Sequence, residues 1–393
     1  KKISKLKKKI KEKEEHGKEL TATVAHLTNT IQILAQTLDT KTSEFETAIR
    51  HMNAIIEATQ QRLNDTHKDI EALKQRSSAR KKNRNNDDNL DIPMGMGMGI
   101  PMGMGIEYDQ ANLNCRGTFT GHSGPVWGLA VTKDGLLVSA SSDMTIKIWD
   151  VANFKCKQTL LGHEGIVHAV VVHGNKLASG SSDKSIRIWD LETMQCIKII
   201  KIHDSTVCSL ATADGLLFSG SYTEIKVWDL ETYKCIQTLT GYNHWVRALA
   251  AVDGRLYTGS YNIIKIWDLK STPLQCLRTI SGNYGSIYSL AVAPDYNKIL
   301  SGTYENKINV YDLESAKCIQ SLGGHIGAVY TLAVAGNRFF SGSYDSTIKV
   351  WNIDNFKCLQ TLVRHSSSVD ALVVGPGPVI FSGSADHSVK VWR

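Results

Sequence analysis

The pairs Trp149-Asp150, Trp189-Asp190, Trp228-Asp229 and Trp267-Asp268 return at intervals of 40, 39 and 39 residues. Tyr311-Asp312, Trp351-Asn352 and Trp392-Arg393 continue the series at 44, 40 and 41. Units open on dipeptides such as Gly121-His122, Gly162-His163 and Gly324-His325. Each then carries an alternating strand, a turn, an SGS-type strand, a tight Asp turn and an IKIWD-type strand. A unit this short cannot bury its own apolar face, so it must stack on its neighbours. The repeats therefore predict an all-β assembly over 113–393, with one small sheet per unit.

Closure of that assembly is also readable. Cys115 precedes Gly121 by six residues, as Cys156 precedes Gly162. Residues 115–120 are thus a fourth strand that arrives before the first unit's own strands. The last unit ends after its third strand, so the first strand is expected to complete it and cover an open edge.

The repeat, with its GH and WD signatures, resembles the WD-repeat family. That resemblance implies an all-β seven-bladed β-propeller over nearly three-quarters of the chain. It also gives a meaning to His122, Ser139, Asp143 and Trp149. A Ser-His-Asp catalytic site occurs once, whereas this set recurs. It returns as His163, Ser179, Asp183, Trp189, as His325, Ser341, Asp345, Trp351, and as His365, Ser382, Asp386, Trp392. In the family this set is a structural hydrogen-bond tetrad. Blades three to five depart from it. Blades three and four lack a turn residue and the Asp, blade five has Glu305, and Tyr242 and Asn283 replace His.

The cysteines Cys115, Cys156, Cys196, Cys235, Cys276, Cys318 and Cys358 follow the same period, and only Cys208 is out of phase. No CxxC pair exists, so neither a metal site nor a disulfide framework is expected. The reading is one small apolar residue per outer strand, in a reducing compartment.

Residues 1–76 contain no Pro and one Gly, and their apolar residues fall at heptad spacing. Ile3, Ile10, Val24, Ile31, Leu38 and Phe45 share one position; Leu6, Leu20, Leu27 and Leu34 share the next. After Phe45 the pattern jumps by four to Ile49, Ile56, Leu63 and Ile70, a coiled-coil stutter. So narrow a seam predicts a long α-helical coiled coil that self-associates. Residues 77–112 form a basic stretch followed by alternating Met and Gly, and read as a flexible linker. Lys1 to Arg84 carry 19 basic and 11 acidic side chains, so the chain's net +7 belongs to this segment. Of the 29 aromatic residues only Phe45 precedes Tyr108. The basic balance therefore gives no reason to expect nucleic-acid binding by the repeats. No run of 18 apolar residues exists, so no transmembrane helix is expected. A lysine-rich start with no apolar core gives no signal peptide, and a chain opening on Lys1 reads as a fragment.

Function must then sit on a surface. The family resemblance implies three positions per blade around the top of the channel. Two lie early in the first strand and one precedes the turn Asp. The second of these is Trp127, His168, Cys208, Arg247, Tyr288, Tyr330 and Asp370 in turn. The first includes Trp245 and Ser368. The third includes Tyr222, Tyr261, Tyr304 and Tyr344. Trp, Tyr and Arg dominate binding hot spots. The partner-binding residues are therefore expected to be Trp127, His168, Tyr222, Trp245, Arg247, Tyr261, Tyr288, Tyr304, Tyr330 and Tyr344. No cofactor is expected.

The stretches 243–269 and 302–306, with a coiled coil before the propeller, resemble the WD-repeat branch of the TNF-receptor-associated factor (TRAF) family. The resemblance implies a RING-type ubiquitin ligase that works as a signalling scaffold. No clustered Cys/His of a RING is in this sequence, so ligase activity is implied only for a longer parent. The expectation is a non-enzymatic, cytoplasmic, oligomeric scaffold whose propeller recruits a protein partner. The alternatives are the targeting half of a kinase, or a cytoskeletal or membrane-surface adaptor.

Overall fold

The computed structural model describes residues 112–201 and 203–393, without the side chains of residues 283 and 284. The chain divides into two units, Lys1–Met102 and Gly103–Arg393, and the described residues all belong to the second. The expected coiled coil, and the linker except for Asn112, lie outside the described residues.

The strands of the second unit build small antiparallel sheets in chain order. Blade one is β2 (Val126–Val131), β3 (Leu137–Ser141), β4 (Ile146–Asp150) and β5 (Lys155–Leu160). Blade two is β6 (Val167–His173) to β9 (Gln195–Ile200), and blade three is β10 (Ser209–Ala213) to β13 (Cys235–Leu239). Blade six is β20 (Val329–Ala335) to β23 (Cys358–Val363). Blade seven is β24 (Val369–Val374), β25 (Ile380–Ser384), β26 (Val389–Trp392) and, from the other end, β1 (Cys115–Phe119).

Blades four and five are fused into one six-stranded sheet. The turn shortened in blade four is replaced by a continuous strand, β15 (Arg255–Asp268), which pairs with the 19-residue β16 (Gln275–Ala293). Tyr261 pairs with Ser286 across the two, and Asn262 takes a left-handed φ of 58° where the turn would have been. With β14 (Ala248–Val252), these strands complete blade four. The far half of β16 joins β17 (Lys298–Thr303), β18 (Ile308–Asp312) and β19 (Cys318–Leu322) as blade five.

Among the described residues seven apolar cores lie between successive blades, one at each junction. Val138 and Ile148 of blade one pack with Leu177 and Trp189 of blade two. Phe119, Leu137 and Trp149 pack with Phe381 and Val391, joining blade seven back to blade one. The ring is therefore closed. Because both faces of each inner sheet are covered, the second and third strands are buried on both sides, as in LVSAS and IKIWD. The SGS glycine is where the next blade comes closest. A Cβ on Gly180 would stand 2.6 Å from Val207 Cγ1 and one on Gly383 would stand 2.7 Å from Val126 Cγ1, so only hydrogen fits.

The first strand joins as its cysteine spacing predicts. Cys115 pairs with Trp392 and Phe119 with Val389. The backbones of Asn114 and Arg393 exchange both hydrogen bonds, at 2.8 and 3.1 Å. The Gln360 amide grips Leu113 from blade six. Its Nε2 donates to the Leu113 carbonyl and its Oε1 accepts from the Leu113 N–H, both at 2.9 Å.

The periodic cysteines mark a β-bulge rather than an apolar layer. In each outer strand the cysteine faces the Trp or Tyr of the repeat pair at a shift of register, as Cys156 faces Trp149 and Cys318 faces Tyr311. The thiol lies 3.4 Å from the carbonyl two residues on at Cys156, with the same arrangement in the other outer strands. Five of them are exposed, and all eight cysteines are free.

Candidate functional site at the channel mouth

Three consecutive residues from every blade line a central cavity of about 220 Å³, from Trp127, Gly128 and Leu129 to Asp370, Ala371 and Leu372. Side chains two apart on a strand point the same way. The middle residue, Gly, Ala, Ser or Thr, is small where the blades converge. A Cβ on Gly128 would stand 3.2 Å from the His168 carbonyl oxygen of blade two. The third residues, six leucines and Val170, make an apolar inner ring. The first residues ring the mouth around about 310 Å³: Trp127, His168, Cys208, Arg247, Tyr288, Tyr330 and Asp370.

Rim side chains extend that mouth into a belt. Tyr261 lies 6.0 Å from His244 between ring centroids, His244 lies 6.2 Å from Tyr222, and Tyr222 lies 5.3 Å from Trp245. The Arg247 guanidinium stands 5.8 Å from the Trp245 ring and 5.6 Å from the Tyr288 ring. Tyr288 lies 5.0 Å from Tyr330 and 6.3 Å from Tyr304, and Tyr330 lies 6.2 Å from Tyr344. Eight of the ten predicted residues thus form one belt across blades three to six. Tyr304 and Tyr344 are its most exposed rings, at 63% and 64%. Trp127 and His168 pair with each other at 5.8 Å, with no ring contact to the belt among the described residues.

Two details differ from the sequence expectation. Trp245 and Arg247 precede their strand, which starts at Ala248; Trp245 is held instead by an isolated bridge to Tyr222. His244 was not among the predicted residues. Its place in the belt follows from blade three's shortened turn, because the Thr223 N–H donates to the His244 carbonyl at 3.1 Å. A turn one residue short was the only signal for it.

The electrostatics of the mouth are uneven. Burial, with the Arg247 charge added, pushes the His168 imidazole down to about 4 and keeps it neutral. Burial pushes the Cys208 thiol up to about 11 and Tyr330 up to about 12. Burial also pushes Asp370 up to about 7, against hydrogen bonds from Ser368 and the Ala385 backbone and with a further push from the Asp386 charge. The Ser368 hydroxyl lies 3.1 Å from both Asp370 oxygens.

The tetrads lie apart from this mouth and are structural. Trp149 Nε1 donates to Ser139 Oγ at 2.7 Å, Ser139 Oγ meets His122 Nε2 at 2.7 Å, and His122 Nδ1 meets Asp143 at 2.7 Å. All four groups are satisfied when a neutral His122 carries its proton on Nδ1. Blades two, six and seven repeat the set with Trp189, Trp351 and Trp392. Blade three keeps His203, Ser219 and Trp228 and puts Glu224 at 3.3 Å in place of the Asp. Blade four substitutes Tyr242, whose hydroxyl meets Thr258 Oγ1 at 2.7 Å and accepts from Trp267 Nε1 at 3.1 Å. The aspartate of the WD pair is outside the tetrad. Asp150 accepts the Ala152 and Asn153 N–H groups and caps the next turn. No group of His, Cys, Asp and Glu among the described residues could hold a metal ion. No helix among them is long and apolar enough to cross a membrane.

The family model described as WD domain, G-beta repeat matches residues 113–150, 154–190, 233–268, 274–312, 316–352 and 356–393. The chain belongs to the WD-repeat family. The unmatched stretch between 190 and 233 contains the first three strands of blade three, where the turn is short and Glu224 replaces the aspartate. Over 205 residues the chain is 47% identical to "E3 ubiquitin-protein ligase TRAF7" of Mus musculus, covering 51% of this chain and 34% of that protein. The Homo sapiens protein of the same name is 47% identical over 205 residues, covering 30% of its length. The chain thus matches about a third of these relatives.

Proposed function

We propose that this chain is a non-enzymatic protein-recruiting scaffold. In this reading its WD repeats form a seven-bladed propeller that captures a protein partner on the channel-mouth face. The single observation that carries the reading is the unbroken belt of Tyr222, Trp245, Arg247, Tyr288, Tyr330 and their neighbours. Large, stiff amphipathic rings give contact area at low rotamer cost. WD repeats are protein-interaction modules, and the relatives named as ubiquitin ligases support a ligase or signalling assembly as the setting, in the cytoplasm. Ligase chemistry would belong to a longer protein that contains this chain.

The heptads of 1–76 would cluster the propellers and raise their effective concentration against a multivalent target. Light scattering on 1–393 and on 112–393 tests this: the longer chain forms a dimer or higher oligomer, and equal monomeric masses would refute it. Quantitative pull-down with wild type and with Trp245→Ala/Arg247→Ala tests the face. The reading requires the double variant to lose its partners while it stays folded.

A further inference from the structure

We propose that the channel mouth receives a single carboxylate from the partner's chain, an Asp or Glu side chain or a C-terminal carboxylate, which pairs with Arg247. This rests on the partner-face reading and gives it a chemical specificity.

Arg247 is exposed at the mouth and has no ion pair or hydrogen bond to another described residue; its neighbours are the faces of Trp245 and Tyr288. Both rings, at 5.8 and 5.6 Å from the guanidinium, take up none of its N–H donors as hydrogen-bond acceptors. A guanidinium fork matches a carboxylate with two parallel hydrogen bonds. Its charge acts on both His168 and Cys208, so it projects over the cavity rather than away from it. The cavity of about 310 Å³ is lined by Tyr288 and Tyr330 as well as Arg247, which suits a short aliphatic stem ending in an anion. Among the mouth residues no second cation stands beside Arg247. A phosphate, at nearly twice the charge, is usually met by a cluster of arginines. One guanidinium, in a mouth that also holds Asp370, favours the smaller charge of a carboxylate.

The test uses a phage-displayed random peptide library selected on the full chain, followed by synthetic peptides measured by titration calorimetry. Selected peptides share one Asp, Glu or free C-terminus. Changing that group to Gln, Asn or the C-terminal amide weakens binding at least tenfold, and which change does so tells side chain from terminus. Arg247→Gln gives the same loss with unchanged melting. Arg247→Glu turns the preference from the Glu peptide to its Glu→Lys analogue, which guards against a variant that is merely damaged. Tyr304→Ala weakens all peptides without removing the acidic preference. Peptides that lose affinity with Tyr304→Ala but share no carboxylate would overturn the carboxylate and leave the partner face standing. Peptides insensitive to both Tyr304→Ala and Arg247→Gln would overturn both. Tenfold tighter binding when phosphoserine replaces the acidic residue would overturn the assignment to a carboxylate.

Discussion

The guanidinium of Arg247, in blade four, stands 5.6 Å from the ring of Tyr288 in blade five. That contact joins two aromatic groups that would otherwise be separate, Tyr222, His244, Trp245 and Tyr261 on one side and four tyrosines on the other. It crosses the junction where the two blades are fused into a single sheet. The belt therefore spans the junction at which two blades share one continuous sheet.

Removing 113–120 opens the ring. Blade seven then loses β1, the Phe119 ring 5.6 Å from Trp149, and the Leu113 grip by Gln360. Fragment 121–393 should melt far below 112–393, or fail to fold, because an unpaired edge and an exposed core arise together. Equal melting curves would show that closure does not depend on this strand.

The blades, the closure and the tetrads were legible in the sequence because each is periodic, and a departure shows against six other copies. Cys115 revealed β1 by its distance from Gly121. All seven mouth residues, Cys208 and Asp370 included, fall at one position of the repeat. What the sequence hid was local. The fusion of blades four and five hangs on one missing turn residue near Asn262. The place of His244 depends on how blade three's short turn reaches across to blade four. The exposure of Cys156 and its counterparts comes from a bulge that apolar patterning does not encode.

Trp189→Ala should cost about 3–5 kcal/mol, as for other large buried aromatics. Ser179→Ala should cost about 1–3 kcal/mol by leaving Trp189 Nε1 and His163 Nε2 without a partner. Neither touches the mouth, so chemical denaturation should fall while binding by the remaining folded protein is retained.

Acid should unfold the ring through the same groups. Burial outweighs the Asp143 and Asp183 partners and lowers His122 and His163 below their ordinary 6.5. That contribution is complete above about pH 6.5 and is lost as pH falls below it. Burial alone would raise Asp183, but hydrogen bonds from Ser185, His163 and the Glu164 backbone hold it down at about 2. That contribution is complete above its ordinary 3.8 and is lost as pH falls toward 2. Both act in one direction, whereas Asp370, held at about 7, stabilises the fold as pH falls below that value and opposes them. In Asp370→Asn, which removes the opposing group, the melting temperature should drop steadily from pH 6.5 downward. A flat profile to pH 4 would contradict it.

Binding of an acidic peptide should weaken as pH rises through about 7. Asp370 ionises there, while His168 at about 4, Cys208 at about 11 and Tyr330 at about 12 keep their protonation states between pH 5.5 and 8.5. The new charge in the same mouth repels a carboxylate. Asp370→Asn should remove the dependence, and a slope that survives that change would place the titrating group elsewhere.

Partner capture by Trp245→Ala/Arg247→Ala, measured as affinity beside wild type at equal folded concentration, tests the mouth most directly. Each change should cost about 2 kcal/mol, the size of a hot-spot residue, with the melting temperature nearly unmoved. Undiminished affinity in a normally folded double variant would place the binding surface away from the channel mouth.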